Sequence, residues 1–312
     1  MAENFNHKAE IRKSYFLNKY VIITPVRALR PKEMKEKIIV EPKSKCPFCP
    51  KNIAKQNVLD KIGDNKNWQV LSLKNIFPAV TLDNSSAYGW QEVIIDTPRH
   101  NLELSDLDDT QIEKILTMYA RRTAIISQNK KVDYILCFKN QGQKAGASLI
   151  HSHSQIFASK ILPPDIVEEL ELARKYQARK KTCPYCDILK EEGKSPRKIF
   201  VDKNIFAFAP YASEYHYEAW IFTKRHLDNI TKLNQDELKS LAHVLKRILL
   251  KLQTLNLSYN YFMHQVISNQ HQHFYMKIQP RDSVWAGIEL GSGLVINSIP
   301  PELAAAYYKN NF

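Results

Sequence analysis

The stretch GASLIHSHSQIFAS, residues 146–159, sets His151, His153 and Gln155 at strict alternation. In an extended strand every second side chain lies on one face. Three polar groups therefore line up where a half-buried strand ordinarily carries apolar ones, which costs free energy unless something binds there. An imidazole with an ordinary pKa of about 6.5 is largely neutral near pH 7 and can act as a nucleophile. It attacks phosphorus and leaves again, the chemistry of a covalent phosphoryl or nucleotidyl intermediate. Gln155 can donate its amide N–H to a phosphoryl oxygen as negative charge builds there. Ser148 can contact the same group, and the small residues Gly146 and Ala147 let backbone N–H groups come close to a phosphate.

Four of the five cysteines form two C-x-x-C pairs, Cys46/Cys49 in KCPFCPKN and Cys183/Cys186 in TCPYCDIL. The N-terminus, MAENFNHKAEIRK, lacks the apolar centre of a secretion signal, so the cytoplasm is the expected compartment. There such pairs hold metal more often than they form disulfides. Thioredoxin-like redox chemistry is the rival, but it needs its motif between a strand and a helix start, and Cys46 follows the polar stretch KEKIIVEPKSK. Cys137, inside VDYILCF, reads as a small buried hydrophobe.

The elements that must position these groups occur twice. Glu92, His100 and Asp108 are spaced by eight and eight, and so are Glu218, His226 and Asn234. In each copy an apolar strand precedes the histidine, and a helix opens eight residues after it with capping-box chemistry, Asp108 with Gln111 and Asn234 with Glu237. Each copy runs C-x-x-C, strand, histidine, helix, strand, then a histidine pair on a further strand. The fold expected is α+β: two tandem units, residues 1–160 and 161–312, each an antiparallel sheet packed with helices.

Two cysteines and two histidines make a complete tetrahedral zinc set with no position left for substrate. The first set is Cys46, Cys49, His100 and His151. The second is Cys183, Cys186, His226 and His273, the last chosen by aligning His273–Ile278 on His151–Ile156. His271 is then an extra polar group, and His264 an outside candidate. In this register Tyr275 stands where His153 stands, and Lys277 where Gln155 stands. Only the first half keeps a histidine free of metal, so only that half is expected to do chemistry.

The chain has 312 residues, 44% hydrophobic and 25% charged, an ordinary globular composition, and no apolar run long enough to cross a bilayer. A net charge of +13 points to an anionic partner: a phosphorylated metabolite, a nucleotide or nucleic acid. The basic stretch ARKYQARKK reads as a solvated helix face. A zinc-stabilised nucleic-acid-binding protein is the rival from another class. It has no use for His153 and Gln155 beyond the metal ligands, so neither nucleic acid nor membrane is expected as partner.

The order CPFC, RH, then NQGQKAGASLIHSHSQ resembles the galactose-1-phosphate uridylyltransferase family of the histidine-triad superfamily. EIRKSYFLNKYVIITPVRALRPKE resembles that family's opening segment, so the likeness covers essentially the whole chain. It implies a two-step exchange in galactose and nucleotide-sugar metabolism. A histidine takes the nucleotidyl group from a nucleotide sugar, hexose 1-phosphate departs, and a second phosphate-bearing acceptor collects the group. Carried over, His153 is the nucleophile and Gln155 the stabilising glutamine. Arg27 and Arg30 lie near the phosphates, and Phe48, Asn75 and Phe77 line the nucleoside pocket. Asn140 and Ser148 contact phosphate, Glu289 contacts hexose, and the assembly is a homodimer.

Two departures bear on the donor. The family's usual proline between the histidines is Ser152 here, followed by Ser154. The serine form, the second C-x-x-C and the ending GIELGSGLVINSIPPE resemble the plant-type branch described as ADP-glucose phosphorylase, which uses phosphate as acceptor. The stretch Asn75-Ile76-Phe77 also lacks the acidic middle residue frequent in uridylyl enzymes. The first reading is a UDP-glucose:hexose-1-phosphate uridylyltransferase, and ADP-glucose:phosphate adenylyl transfer is the alternative. A glutamine at 155 cannot serve as general acid, which favours transfer over hydrolysis.

Overall fold

The computed structural model describes residues 8–29, 42–64 and 67–310. β1 (Glu10–Lys13), β2 (Tyr20–Ile23) and β13 (Val295–Asn297) form a small sheet that sets residues 10–23 beside residues 295–297. Among the described residues all other strands belong to one ten-stranded sheet. Its first half holds β3 (Val58–Gly63), β4 (Trp68–Lys74), β5 (Gly89–Ile95), β6 (Tyr134–Gln141) and β7 (His153–Ser159). Its second half holds β8 (Lys198–Val201), β9 (Ile205–Phe208), β10 (Ala219–Thr223), β11 (Tyr259–His264) and β12 (Tyr275–Pro280).

The strand order β3-β4-β5-β7-β6-β11-β12-β10-β9-β8 reads the same from either edge once each strand is matched with its counterpart. The halves meet where β6 and β11 pair antiparallel, Phe138 opposite Phe262. Cys137 lies opposite Ile156 in one half and Tyr261 opposite Ile278 in the other. The pseudo-twofold axis therefore passes through the Phe138–Phe262 pair and relates His153 to Tyr275 and Gln155 to Lys277.

Register also corrects the repeat. Glu92 pairs with Ile156, but the residue opposite Ile278 is Ala219, so the counterpart of Glu218 is Gln91. A one-residue slip moves a side chain to the other face. Glu92 accordingly points at α1 (Asp109–Ile126), where Arg122 Nη2 meets its carboxylate at 2.7 Å. Glu218 points to the opposite surface and accepts the Trp220 indole N–H at 2.7 Å.

One face of the sheet carries α1 and α4 (Gln235–Thr254). On α4, Leu238, Leu241, Leu245, Ile248, Leu249 and Leu252 recur at helical spacing and are all buried in the main core, each worth roughly 1.5–3 kcal/mol. Asn234 and Glu237 form a reciprocal capping box. At α1 only half of the expected box exists: Asp108 accepts the Gln111 N–H, but the Gln111 side chain donates instead to the carbonyls of Gln69 and Asp96. On the other face the second half is covered. There α2 (Pro164–Lys180) and α3 (Pro184–Glu192) bury an aromatic cluster that includes Phe16, Tyr185, Phe208, Trp220, Phe222 and Tyr275. Among the described residues the remaining α-helices are α5 (Gly287–Ser292) and α6 (Pro301–Lys309). Among the described residues no helix is long and apolar enough to cross a membrane.

Candidate active site and metal centres

Both four-residue sets assemble. The ligand atoms of Cys46, Cys49, His100 and His151 lie within 4.8 Å of one another, as do those of Cys183, Cys186, His226 and His273. Cys46 Sγ is 3.5 Å from His151 Nδ1 and Cys49 Sγ 3.4 Å from His100 Nδ1. In the second set Cys186 Sγ is 3.7 Å from His226 Nδ1 and 3.6 Å from His273 Nδ1. Bonds of about 2.3 Å to sulfur and 2.0–2.1 Å to nitrogen in a tetrahedron separate S from N by about 3.5 Å. Both sets could therefore hold a metal ion.

The rings are held to offer Nδ1. His151 donates Nε2–H to the Thr97 carbonyl at 2.8 Å, His273 to that of Thr223 at 2.7 Å, and His226 to that of Gln270 at 3.0 Å. Such outer partners fix tautomer and ring orientation. His271 lies outside the second set and meets Gln177 Oε1 at 2.6 Å, while buried His264 lies 3.4 Å from Glu169.

His153 belongs to neither set. Its Nδ1–H donates to the His151 carbonyl at 2.9 Å, and among the described residues Nε2 has no hydrogen-bond partner. The ring is buried, with Phe48 from the first cysteine loop 5.2 Å away between centroids. Burial, and then the positive charge of Lys139, push the imidazole down to about 4, so it stays neutral at ordinary pH. A neutral imidazole with one fixed N–H and one available lone pair is a nucleophile in its reactive tautomer.

Gln155 sits one step along the same face. Its Oε1 accepts from Gln91 Nε2 at 2.9 Å, and Gln91 Oε1 in turn accepts the Ala79 backbone N–H at 3.0 Å. With its carbonyl occupied, Gln155 presents its NH2 group as donor. No motif or spacing in the sequence marks Gln91. The only available signal was its phase: it alternates with Val93 and Ile95 on the strand beside β7.

The other expected site residues divide. Asn75 accepts the Phe77 N–H at 2.8 Å in a turn that leads into the Gln91-bound loop. Phe77 is 87% exposed and so is no core residue. Asn140 accepts from Asn260 at 2.8 Å, and exposed Ser148 follows the Gly142–Gly146 turn. Gly142 has φ 81°, and a Cβ there would fall 2.1 Å from Ser258 Oγ. The N–H groups of Gly146 and Ala147, expected to face phosphate, instead bond the carbonyls of Gln143 and Gly142 and close that turn. Arg27 is exposed next to β2 and lies within electrostatic reach of Glu289 on α5, whose carboxylate accepts the Ala286 N–H. Among the described residues no hydrogen bond or ion pair joins either to His153. Arg30 lies outside the described residues.

The model of the galactose-1-phosphate uridyl transferase N-terminal domain matches residues 2–163, which include the first metal set, His153 and Gln155. The chain belongs to the galactose-1-phosphate uridylyltransferase family. Within it, ADP-glucose phosphorylase of Arabidopsis thaliana is 33% identical over 328 residues, 95% of this chain and 91% of that protein. Galactose-1-phosphate uridylyltransferase of Thermotoga maritima is 31% identical over 317 residues, covering 95% and 96%. The crystal structure of the Arabidopsis phosphorylase with bound ADP-glucose superimposes with a TM-score of 0.87 at 30% identity, over 98% of this chain and 100% of that one. A uridylyltransferase structure superimposes at 0.75 with 30% identity, over 96% and 97%.

Proposed function

We propose that this chain moves a nucleoside monophosphate from a nucleotide sugar to a phosphate-bearing acceptor through a covalent nucleotidyl-His153. The reading rests on one observation above all: His153 Nδ1 is tied to the His151 carbonyl and, among the described residues, Nε2 has no hydrogen-bond partner, beside a glutamine whose carbonyl is already engaged. Nε2 attacks the α-phosphorus, the N–P bond forms, and the bond from that phosphorus to the bridging oxygen breaks. Hexose 1-phosphate leaves with the electron pair. An oxygen of the acceptor, inorganic phosphate or another hexose 1-phosphate, then attacks the same phosphorus and releases the imidazole. The Nδ1–H bond to the His151 carbonyl stabilises the positive charge on the substituted ring, and Gln155 donates to the phosphoryl oxygen.

Exposed Phe77, with Asn75 and Phe48, is assigned to the nucleoside. Asn140, Ser148, Arg27 and Arg30 are assigned to phosphate, and Glu289 to the hexose. Zinc is assigned to both four-residue sets. With all four positions filled by protein, it ties a loop to a strand end and touches no substrate. Residues 1–160 form the catalytic unit, 161–312 its partner unit, and two chains a homodimer.

The likeness to the ADP-glucose-bound phosphorylase favours ADP-glucose with phosphate as acceptor, and UDP-glucose with hexose 1-phosphate is the second reading. Incubation with each donor labelled at the α-phosphorus separates them. The expected result is an acid-labile label from ADP-glucose that inorganic phosphate removes. Label from UDP-glucose alone would assign the uridylyl reaction, and no label from either would remove the covalent mechanism.

A further inference from the structure

Behind the nucleophile, on the face of the sheet turned toward α1, lies a buried charged network that has no direct contact with the reacting groups in the reaction as described. Lys139 on β6 is 1% exposed. Its ammonium donates to Asp96 Oδ2 at 2.8 Å, to Ser152 Oγ at 2.9 Å and to the His153 carbonyl at 2.9 Å, so all three of its protons are engaged. Asp96 takes the Ser152 hydroxyl on Oδ2 and the Ser154 hydroxyl on Oδ1, each at 2.9 Å, and its own N–H meets the Ser152 carbonyl at 3.2 Å. Residues 152, 153 and 154 are thus each held by a group on this pair.

Burying a lysine and an aspartate is costly, and apolar residues of similar volume often serve stability as well or better. The protein contains its own control. Carried through the pseudo-twofold register, Lys139 corresponds to Met263, Asp96 to Thr223, Ser152 to Phe274 and Ser154 to Met276, all four fully buried. The second half builds the same strands around the same ligand set with no charge at these positions. The unit folds without the network, and the network stands only under the histidine left free.

We propose that Lys139, acting with Asp96, is a positioning residue that holds the backbone of His153 so that its Nε2 meets the α-phosphorus. This rests on the nucleotidyl-transfer reading above. A displacement of about 1 Å at a reacting group can cost on the order of a hundredfold in rate. Lys139→Met alone strands a buried carboxylate, so the informative variant is Lys139→Met/Asp96→Asn, which removes both charges. Arg122→Met/Glu92→Gln removes the other buried ion pair on the same face, which touches none of residues 152–154, and serves as the structural control.

With whichever donor labels the wild type, the first variant should lose about 30- to 100-fold in single-turnover labelling rate. Its half-saturating donor concentration and metal content should stay within about twofold, and the control variant should label at a near-normal rate. Imidazole 15N resonances test the same claim without substrate: His153 should be a single Nδ1–H tautomer in the wild type and a tautomer mixture in the first variant. A labelling rate within threefold of wild type, an equal loss in both variants, or an unchanged His153 tautomer would overturn the proposal. A wild type that accepts no label removes the proposed reaction instead, and the tautomer comparison then decides the positioning claim alone.

Discussion

The two halves carry matching sets of two cysteines and two histidines, and opposite uses of the face beside them. Next to His151 come His153 and Gln155, with Gln91 on the neighbouring strand. Next to His273 come Tyr275 and Lys277, with Glu218 in the place of Gln91. Tyr275 is fully buried, stacked on Phe222 at 4.4 Å between centroids, with its hydroxyl on Glu169. Lys277 lies with its ammonium 4.7 Å over the Trp220 ring. One half offers a lone pair and an amide donor, and the other fills the equivalent face with aromatic core. Both halves keep the cysteine–histidine set, and in the proposed reaction the difference lies in what stands two and four residues further along.

The comparison breaks first at residue 155. Gln155→Ala should slow label uptake about 10²- to 10³-fold, the usual cost of losing one preorganised donor to a developing charge. Lys277→Ala, at the equivalent place, should leave that rate within about twofold. Equal losses would mean that both faces serve the reaction.

Next comes the metal. His273→Ala should reduce bound zinc from two ions to one per chain and lower unfolding free energy by on the order of a few kcal/mol, with the labelling rate retained. Metal analysis alongside thermal unfolding checks this, and unchanged stoichiometry would show that His273 is no ligand.

The smallest effect is on pH dependence. His153 is depressed to about 4, first by burial and then by Lys139. Its lone pair is therefore present at pH 6, and the acid limb of the labelling rate should fall near 4 rather than at 6.5. The same depression bears on stability. Between about pH 6.5 and 4 the unfolded chain binds the proton that the native ring refuses, so the contribution present above 6.5 is lost as pH falls through that window. His153→Ala should flatten that part of the stability curve.

Periodicity and spacing reveal what the two halves of the sheet share: the α+β class, the strand–histidine–helix unit, and the cysteines and histidines that gather into two sets. What stayed hidden depends on register. The eight-residue spacing made Glu92 and Glu218 look equivalent, but a one-residue slip put them on opposite faces, and no count along the chain reveals that. Lys139 was a lone cation in the apolar run YILCFKNQ, and only the strand beside it shows that its partners are Asp96, Ser152 and His153. The Gly146 and Ala147 amides looked available because small residues permit close approach, yet the turn they belong to consumes them itself.

The most direct test of the central claim is to locate the covalent label. After reaction with the donor and proteolysis under mildly alkaline conditions, mass spectrometry of the fragment containing residues 146–159 should show one nucleoside monophosphate, attached at His153 and absent from the His153→Ala protein. Nucleotide on His264, His271 or His273, or label that survives in the alanine variant, would contradict the account.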